Sequence, residues 1–328
     1  MKVLVTGSAG FIGRPTVVAL ERAGHEVRGF DRAGDPADTI VDRSRLSARM
    51  GGCEAVVHLA AKVGLGVGVD DLDDYAWHND YGTAVVLRAA AAQRVPRIVF
   101  ASSMVVYGEG AYACPRHGPV RAPARTVPDL AQGRFDPRCL TCGSPLVPGL
   151  VREDAPLDPR NTYAATKVHG EHLLASWARE TGGLGVALRF HNVYGPGMPR
   201  DTPYAGVAAL FASALARGQP PRVFEDGRQR RNFVHVRDVA AAVAAATDTE
   251  LPAGVTALNI GSPSVTTVGA VARALSTALS GPEPVVTGEY RLGDVRHITA
   301  DCRAAEQVLG WRAAIDLAQG MATSFPRA

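Results

Sequence analysis

A tyrosine and a lysine four residues apart are the first sign of chemistry in the sequence. Tyr163 and Lys167 share one face of the helix that is predicted to begin near Asn161. A phenol is a poor base near neutral pH, because its ordinary pKa is about 10, but a nearby positive charge favours the phenolate. Ser103 follows a predicted strand and could donate to the same substrate oxygen. Taken alone, the Tyr/Lys pair could equally be an exposed helical pair.

A glycine-rich turn indicates a second function, the binding of a dinucleotide. Gly7, Gly10 and Gly13 follow a predicted strand and open a helix, where they permit a tight turn and close approach of the backbone to a pyrophosphate. Asp31 ends the next strand, where a ribose 2′-hydroxyl needs an acceptor. Its carboxylate favours NAD because it repels the 2′-phosphate of NADP. Arg32 leaves the alternative open, since a guanidinium could bind that phosphate.

A third group of residues offers metal ligands. Cys114 and His117 are separated by two residues, as are Cys139 and Cys142, and three cysteines with one histidine suit tetrahedral Zn²⁺. They lie in an irregular segment at about 109–152, which metal would help to fold. Ordinary thiols with a loop histidine, or a disulfide, are the alternatives.

Alternating strands and helices must position these groups. Strands are predicted at 2–6, 26–30, 55–59, 97–102 and 186–190, with helices at 11–23, at 75–93 and from about 161. This order predicts an α/β fold, a Rossmann-type doubly wound parallel sheet with a smaller C-terminal lobe and the cysteine-containing, zinc-ribbon-like insertion. We expect a cofactor domain at 1–189, to which part of 233–260 returns, and a mainly substrate-binding lobe at 190–328.

The composition limits the classes of partner and the cellular compartment that we expect. The 328 residues carry a formal charge of only +3, with basic residues scattered, so a nucleic-acid partner is not expected. No apolar run approaches the roughly 18 residues of a membrane span. The first residues are predicted to form a strand, and the five cysteines that follow do not resemble the disulfide framework of a secreted protein. We therefore expect the protein to lie in the cytoplasm.

At this point the chain resembles the nucleotide-sugar epimerase/dehydratase family, the extended short-chain dehydrogenases/reductases. The motifs that carry the resemblance, in chain order, are the glycine turn, 58–61 (HLAA), Asn79 with 82–83, Ser103, the Tyr/Lys pair, 189–196 (RFHNVYGP), 231–236 (RNFVHV) and 291–294 (RLGD). The resemblance implies NAD as cofactor, held by Gly7, Gly10, Phe11, Ile12, Gly13, Asp31, Arg32, Asp42, Leu59, Ala60, Ala61, Tyr163 and Lys167. It implies a homodimer as well.

The same resemblance assigns the remaining roles. Ser103, Tyr163 and Lys167 match the catalytic set, and Ser103 with Asn192, Arg231 and Arg291 matches the substrate-binding set for a nucleotide diphosphate sugar. Arginines and an amide suit a diphosphate on physical grounds too. A surface ion pair between Arg291 and Asp294 is the alternative for that arginine.

Two details bear on the reaction. Dehydratases of the family carry an Asp-Glu pair after the catalytic hydroxyl, where Met104 and Val105 stand here and cannot move protons. Dehydration is therefore not expected, and a 4-epimerase or a one-way reductase or dehydrogenase remains. We expect the 4-epimerase, with a non-catalytic NAD-sensing protein as the alternative of another class. The cysteine pairs, 203–207 and 223–233 resemble the dTDP-L-rhamnose 4-epimerase branch, which favours a dTDP-6-deoxyhexose.

Overall fold

The fold was obtained as a computed structural model that describes residues 1–64, 69–199 and 206–325. Its strands are β1 (Lys2–Thr6), β2 (Glu26–Phe30), β3 (Ala55–His58), β4 (Arg97–Ser103), β5 (Tyr112–Cys114), β6 (Gly118–Val120), β7 (Val147–Pro148), β8 (Leu184–Phe190), β9 (Asn192–Tyr194), β10 (Arg222–Val223), β11 (Arg230–Arg231), β12 (Phe233–His235), β13 (Gly254–Ile260), β14 (Thr266–Thr267) and β15 (Val285–Val286).

The helices cover both faces of the main sheet and build most of the C-terminal half. They are α1 (Gly13–Arg22), α2 (Arg43–Met50), α3 (Leu72–Tyr75), α4 (Gly82–Ala92), α5 (Val127–Ala131), α6 (Thr162–Thr181), α7 (Val207–Ala216), α8 (Val236–Asp248), α9 (Val268–Leu279), α10 (Arg303–Leu309) and α11 (Leu317–Ser324). A π-helix, Ala76–Tyr81, joins α3 to α4, so the single predicted helix at 75–93 is a composite of three pieces. No helix in the described ranges is both long and apolar enough to cross a membrane.

The main sheet has six parallel strands in the order β13-β8-β4-β3-β1-β2. Successive residues of a strand point to opposite faces, so alternate apolar side chains enter two cores. Val3, Val57 and Val99 pack with α8 and α10 on one face, while Leu4, Val56 and Ile98 pack with α2, α4 and α6 on the other. The predicted doubly wound parallel sheet is confirmed.

The insertion and the C-terminal lobe form two smaller units. Within the insertion, residues 109–152, the three-stranded sheet β6-β5-β7 surrounds a small core that includes Tyr112, Cys114 and Cys139. The lobe is built around α7, α9 and α11, with the short strand pairs β10-β15, β11-β14 and β9-β12. Because β13 comes from the C-terminal half yet joins the main sheet, chain order and spatial units do not coincide.

Candidate active site

A cavity of about 750 Å³ opens at the carboxyl ends of the central strands. Asp42, Tyr163 and Lys167 are not among its lining residues, whereas the other ten predicted cofactor residues are: Gly7, Gly10, Phe11, Ile12, Gly13, Asp31, Arg32, Leu59, Ala60 and Ala61. The first β-α turn and the end of β3 thus meet at one site, as the motifs predicted.

The glycine turn has no room for side chains. Gly7 has φ +71°, and a Cβ there would lie 2.8 Å from the backbone nitrogen of Ala60. A Cβ on Gly13 would lie 2.0 Å from the carbonyl oxygen of Gly7, which no small shift can relieve. The turn therefore brings bare backbone to the cavity floor and lets α1 start directly beneath it.

Asp31 stands where the second strand ends. One carboxylate oxygen accepts from the backbone N–H of Ala9 at 3.0 Å and the other from that of Ala33 at 2.8 Å, so the side chain is fixed against the glycine turn. Each oxygen keeps a further lone pair for a hydroxyl donor. Arg32 beside it is exposed at the cavity wall.

Asp42 lies elsewhere. Its carboxylate caps α2 by accepting from the backbone N–H of Arg45 at 3.1 Å and from the hydroxyl of Ser44 at 2.7 Å. The residues of this connection that do line the cavity are Thr39 and Ile40, which no motif indicated. The assignment of Asp42 to the cofactor stays a prediction without support from its position.

Lys62 is a further residue that lines the cavity and that the sequence motifs did not indicate. Its backbone N–H donates to Asn79 Oδ1 at 2.8 Å, and its ammonium forms an ion pair with Asp74. It directly follows Leu59, Ala60 and Ala61 in sequence, so extending that motif by one position identifies it.

The Tyr/Lys pair lies on the first turns of α6. Asn161 caps this helix by accepting from the backbone N–H of Ala164 at 2.8 Å. The buried ammonium of Lys167 donates to the carbonyl of Ala101 at 2.8 Å and lies 5.7 Å from the ring centre of Tyr163. Burial lowers the pKa of Lys167 to about 8, against the opposing influence of Glu171.

Tyr163 and Ser103 face each other from α6 and β4. Burial raises the pKa of Tyr163 to about 12, while a hydrogen bond with Ser103 acts in the opposite sense. Ser103 is the last residue of β4 and its Oγ also accepts from the backbone N–H of Val105 at 3.4 Å. The geometry therefore joins the predicted hydroxyl, phenol and ammonium, and an additional positive charge is needed to favour the phenolate near neutral pH.

A buried network supports this trio from below. Glu171, one turn after Lys167, forms a two-pronged ion pair with Arg189 at 2.9 and 2.7 Å and accepts from the hydroxyl of Ser102. Arg189 also donates to the hydroxyl of Tyr107 at 2.7 Å. The network ties β4, α6 and β8 together. The i,i+4 spacing of Lys167 and Glu171 is the sequence signal that could have found it.

Apart from Ser103, the predicted substrate residues lie in the C-terminal half. Asn192 Oδ1 is buried and has no hydrogen-bond partner among the described residues. The guanidinium of Arg231 donates to the carbonyls of Arg230 at 2.9 Å, Arg296 at 3.0 Å and Val295 at 2.5 Å, and burial lowers its pKa. These three contacts leave part of its donor set free.

Arg291 is exposed and lies 5.2 Å from the ring centre of Phe224. Burial raises the pKa of the Asp294 carboxyl, an effect that Arg291 and Arg231 oppose. Part of the 203–207 motif, residues 203–205, lies outside the described residues.

The four predicted metal ligands converge in the insertion. Cys114 Sγ lies 3.4 Å from His117 Nδ1 and 3.6 Å from Cys142 Sγ, and His117 Nδ1 lies 3.4 Å from Cys139 Sγ. All four ligand atoms lie within 4.8 Å of one another, and the five cysteines of the chain are free thiols. This spacing is close to that of the corners of a tetrahedron around zinc, with metal–ligand distances of about 2.0–2.3 Å.

Comparison with known proteins completes the description of this site. The model of the NAD dependent epimerase/dehydratase family matches residues 3–127 and 131–261. The dTDP-L-rhamnose 4-epimerase of Burkholderia thailandensis is 31% identical over 98% of this chain and 93% of its own length. The UDP-glucose 4-epimerase of Mycolicibacterium smegmatis is 31% identical over 98% and 96%. The solved structure of MoeE5 with UDP-glucuronic acid and NAD superposes with a TM-score of 0.79 at 30% identity, covering 99% and 98% of the two chains.

Proposed function

Because the chain belongs to the NAD dependent epimerase/dehydratase family, we propose that it is a nucleotide-sugar 4-epimerase with a dTDP-6-deoxyhexose as substrate. The predicted resemblance to this family, and with it the prediction of an NAD-dependent enzyme on the extended short-chain dehydrogenase/reductase fold, is confirmed. The sugar, the base and the outcome at C4 belong to the proposal.

The observation that carries the proposal is the trio Ser103, Tyr163 and Lys167, with Met104 and Val105 at the two positions after Ser103. Met104 and Val105 follow Ser103 in a short turn, and neither can exchange a proton with the sugar. The site thus has the groups that can transfer a proton to and from one sugar oxygen. At positions 104 and 105 it lacks the acidic groups that dehydration would require. The reaction that these residues support is therefore oxidation followed by reduction at the same carbon.

The cavity fits NAD. The bare backbone of the glycine turn accepts a pyrophosphate where any Cβ would collide, and Asp31 offers its carboxylate for a ribose. When bound, NAD supplies the acceptor and later the donor of the C4 hydride, and its positive ring favours the Tyr163 phenolate.

The protein residues divide the remaining steps. Tyr163 takes the proton of the C4 hydroxyl while Ser103 donates to that oxygen, which gives a 4-keto sugar as hydride leaves C4. Lys167 places its charge near the phenol ring. After the keto sugar turns over, hydride returns to its opposite face and Tyr163 gives the proton back. No net oxidation results, so the cofactor is regenerated.

The two relatives described above are both 31% identical to this chain but are named for different nucleotide sugars. The similarity to a dTDP-L-rhamnose 4-epimerase, together with the insertion, favours a dTDP-6-deoxyhexose. The test is a panel of dTDP- and UDP-sugars, followed by proton NMR without added nicotinamide. Inversion at C4 of a dTDP-6-deoxyhexose is expected. Stoichiometric consumption of NADH or NADPH would instead indicate a reductase, and binding without turnover an NAD-sensing protein.

We further propose that the four converging ligands hold one structural Zn²⁺. Protein groups fill all four positions, so no place is left for substrate and the metal has no part in the proton transfer. Its contribution is to fold the insertion, and the cytoplasm would keep the thiols reduced for it. Metal analysis of gently purified protein should give about one zinc per chain.

A homodimer is the remaining element of the proposal. Leu72, Trp77 and Tyr81 are 51%, 50% and 47% exposed, and the two aromatic rings stack with centroids 4.5 Å apart. They lie on the segment that packs against α6, so a second copy would cover an apolar face beside the catalytic helix. Sedimentation of the protein should give a dimer, and Trp77→Ser with Tyr81→Ser should shift it towards the monomer. A monomeric wild-type protein would contradict this part.

A further inference from the structure

Residues 295–301 form a segment that contacts both the insertion and the C-terminal lobe. On one side, Val151 of the insertion donates to Thr299 at 2.7 Å and accepts from Asp301 at 2.8 Å. On the other side, Ile298 donates to the carbonyl of Arg230 at 3.1 Å in β11. The segment thus lies between the insertion and the strand that carries Arg231.

The same segment holds the Arg231 guanidinium. Two of the three acceptors of that guanidinium are the carbonyls of Val295 and Arg296. Any shift of these carbonyls therefore moves the cation that is expected to meet the diphosphate. The position of the Arg231 guanidinium therefore depends on the positions of residues 295 and 296.

The side chain of Arg296 is 1% exposed and is surrounded by acids. Its Nε donates to Asp136 at 2.8 Å, Nη1 donates to Glu225 at 2.8 Å, and Nη1 and Nη2 reach Asp226 at 2.7 and 2.8 Å. Its backbone N–H donates to Glu109 at 3.1 Å. Both the side chain and the backbone of Arg296 are therefore fixed by residues from the two units.

Asp136 is the insertion's contribution to this cluster, and it precedes Cys139 by three residues. It also accepts from His297 Nε2 at 3.0 Å. The hydrogen bond from His297 and the charge of Arg296 hold the pKa of the Asp136 carboxyl well below its usual range, so it stays anionic. The metal cluster and Arg296 are thus linked through a few residues of backbone.

The lobe side of the cluster is strained. Glu225 adopts φ +54°, a left-handed conformation that is unfavourable for a residue with a Cβ. Its carboxylate joins Arg296 to Arg125, a further insertion residue, at 2.6 Å. Arg125 also donates to the carbonyl of Asp294. Two arginines, one from each unit, hold this conformation.

We infer that Asp136 and Arg296 are positioning residues that couple the metal-binding insertion to the diphosphate site, so that metal occupancy raises affinity for the nucleotide. The inference rests on the proposed function through the role of Arg231. The link runs from Cys139 to Asp136, then to Arg296, and from the carbonyls of 295 and 296 to Arg231. Because linkage between binding free energies is reciprocal, bound nucleotide must also raise the affinity of the insertion for the metal.

The test uses zinc-loaded, NAD-containing protein with dTDP and UDP as probes. Asp136→Asn keeps the shape of the side chain and removes its charge, and should weaken nucleotide binding by about tenfold, in the range seen for positioning residues. Asp129→Asn is the control, since Asp129 is in the insertion but pairs with Arg134 at the surface. It should bind like the wild type. NAD content should not change in either variant, and KM should rise in Asp136→Asn with kcat at saturation nearly intact.

A second measurement is the equilibrium competition for zinc between the protein and a chelator. In the wild type, dTDP should raise the affinity for zinc severalfold, and in Asp136→Asn it should not. Equal nucleotide affinity in both proteins, or a wild-type zinc affinity that dTDP does not change, would overturn the inference. If Asp136→Asn lost its metal during purification, the wild-type zinc affinity with and without dTDP would decide alone. Failure of the wild type to bind dTDP or UDP at all would contradict the proposed function instead.

Discussion

Replacing Tyr163 by Phe removes one oxygen from the centre of the site. The phenol forms a hydrogen bond with Ser103 and is the only member of the trio that can accept the C4 proton directly, because Ser103 is too weak a base and the Lys167 ammonium already donates to Ala101. General acid–base catalysis contributes about 10²- to 10⁴-fold, so kcat should fall by that factor. This equals about 3–5 kcal/mol of transition-state stabilisation.

The assay is C4 equilibration by NMR, together with chromatography of the NAD released on denaturation. NAD content should stay at the wild-type level, because the glycine turn and Asp31 are untouched. Tyr107→Phe is the control: the Tyr107 hydroxyl is buried, donates to Asn259 and accepts from Arg189, and has no part in the proposed proton transfer. It should lose stability and keep most of its kcat. A Tyr163→Phe enzyme within tenfold of wild-type kcat would refute the assignment.

Three further predictions concern the cofactor turn, the metal and pH. Gly13→Ala places a Cβ 2.0 Å from a carbonyl oxygen and should weaken NAD retention by about tenfold or more, whereas Gly34→Ala, with 3.5 Å of room, should not, as chromatography of bound NAD will check. Cys139→Ser should leave the protein without zinc and raise protease sensitivity between residues 109 and 152 while NAD stays bound. Cys302→Ser is the control and should keep both the zinc and the protease resistance. Full metal content in Cys139→Ser would contradict the ligand set. His58 has its pKa lowered to about 3 by burial, so below about pH 6.5 the unfolded chain binds a proton that the folded chain does not, and the free energy of unfolding falls towards pH 3. His58→Gln should reduce that slope in thermal melts, and an unchanged slope would refute the argument.

Local patterns in the sequence were sufficient for much of the site. The turn at Gly7 and Gly13 needs only a strand, a tight turn and a helix, which are encoded within a dozen residues. Tyr163 and Lys167 share a face through helical spacing alone. The parallel sheet follows from alternating strands and helices, because the helix between two strands carries the chain back to the end of the sheet where the first strand began.

Tertiary structure decided what depends on distant partners. Asp42 follows the second strand as a cofactor residue could, yet it caps α2, and Thr39 and Ile40 line the cavity instead. The predicted helix at 75–93 contains a π-helical segment, Ala76–Tyr81, that apolar periodicity did not reveal. In both places neighbouring elements fix the backbone, which a short window of sequence cannot report.

The buried ionic clusters show the same division most clearly. Asp136 and Arg296 are 160 residues apart in the chain, and nothing in either local sequence indicates the other. A charge is stable in the interior only when its partner is present, and the partner is brought there by the packing of whole units. Sequence by itself determined which residues could do chemistry, whereas the packing of the insertion against the lobe decided how Arg231 is held.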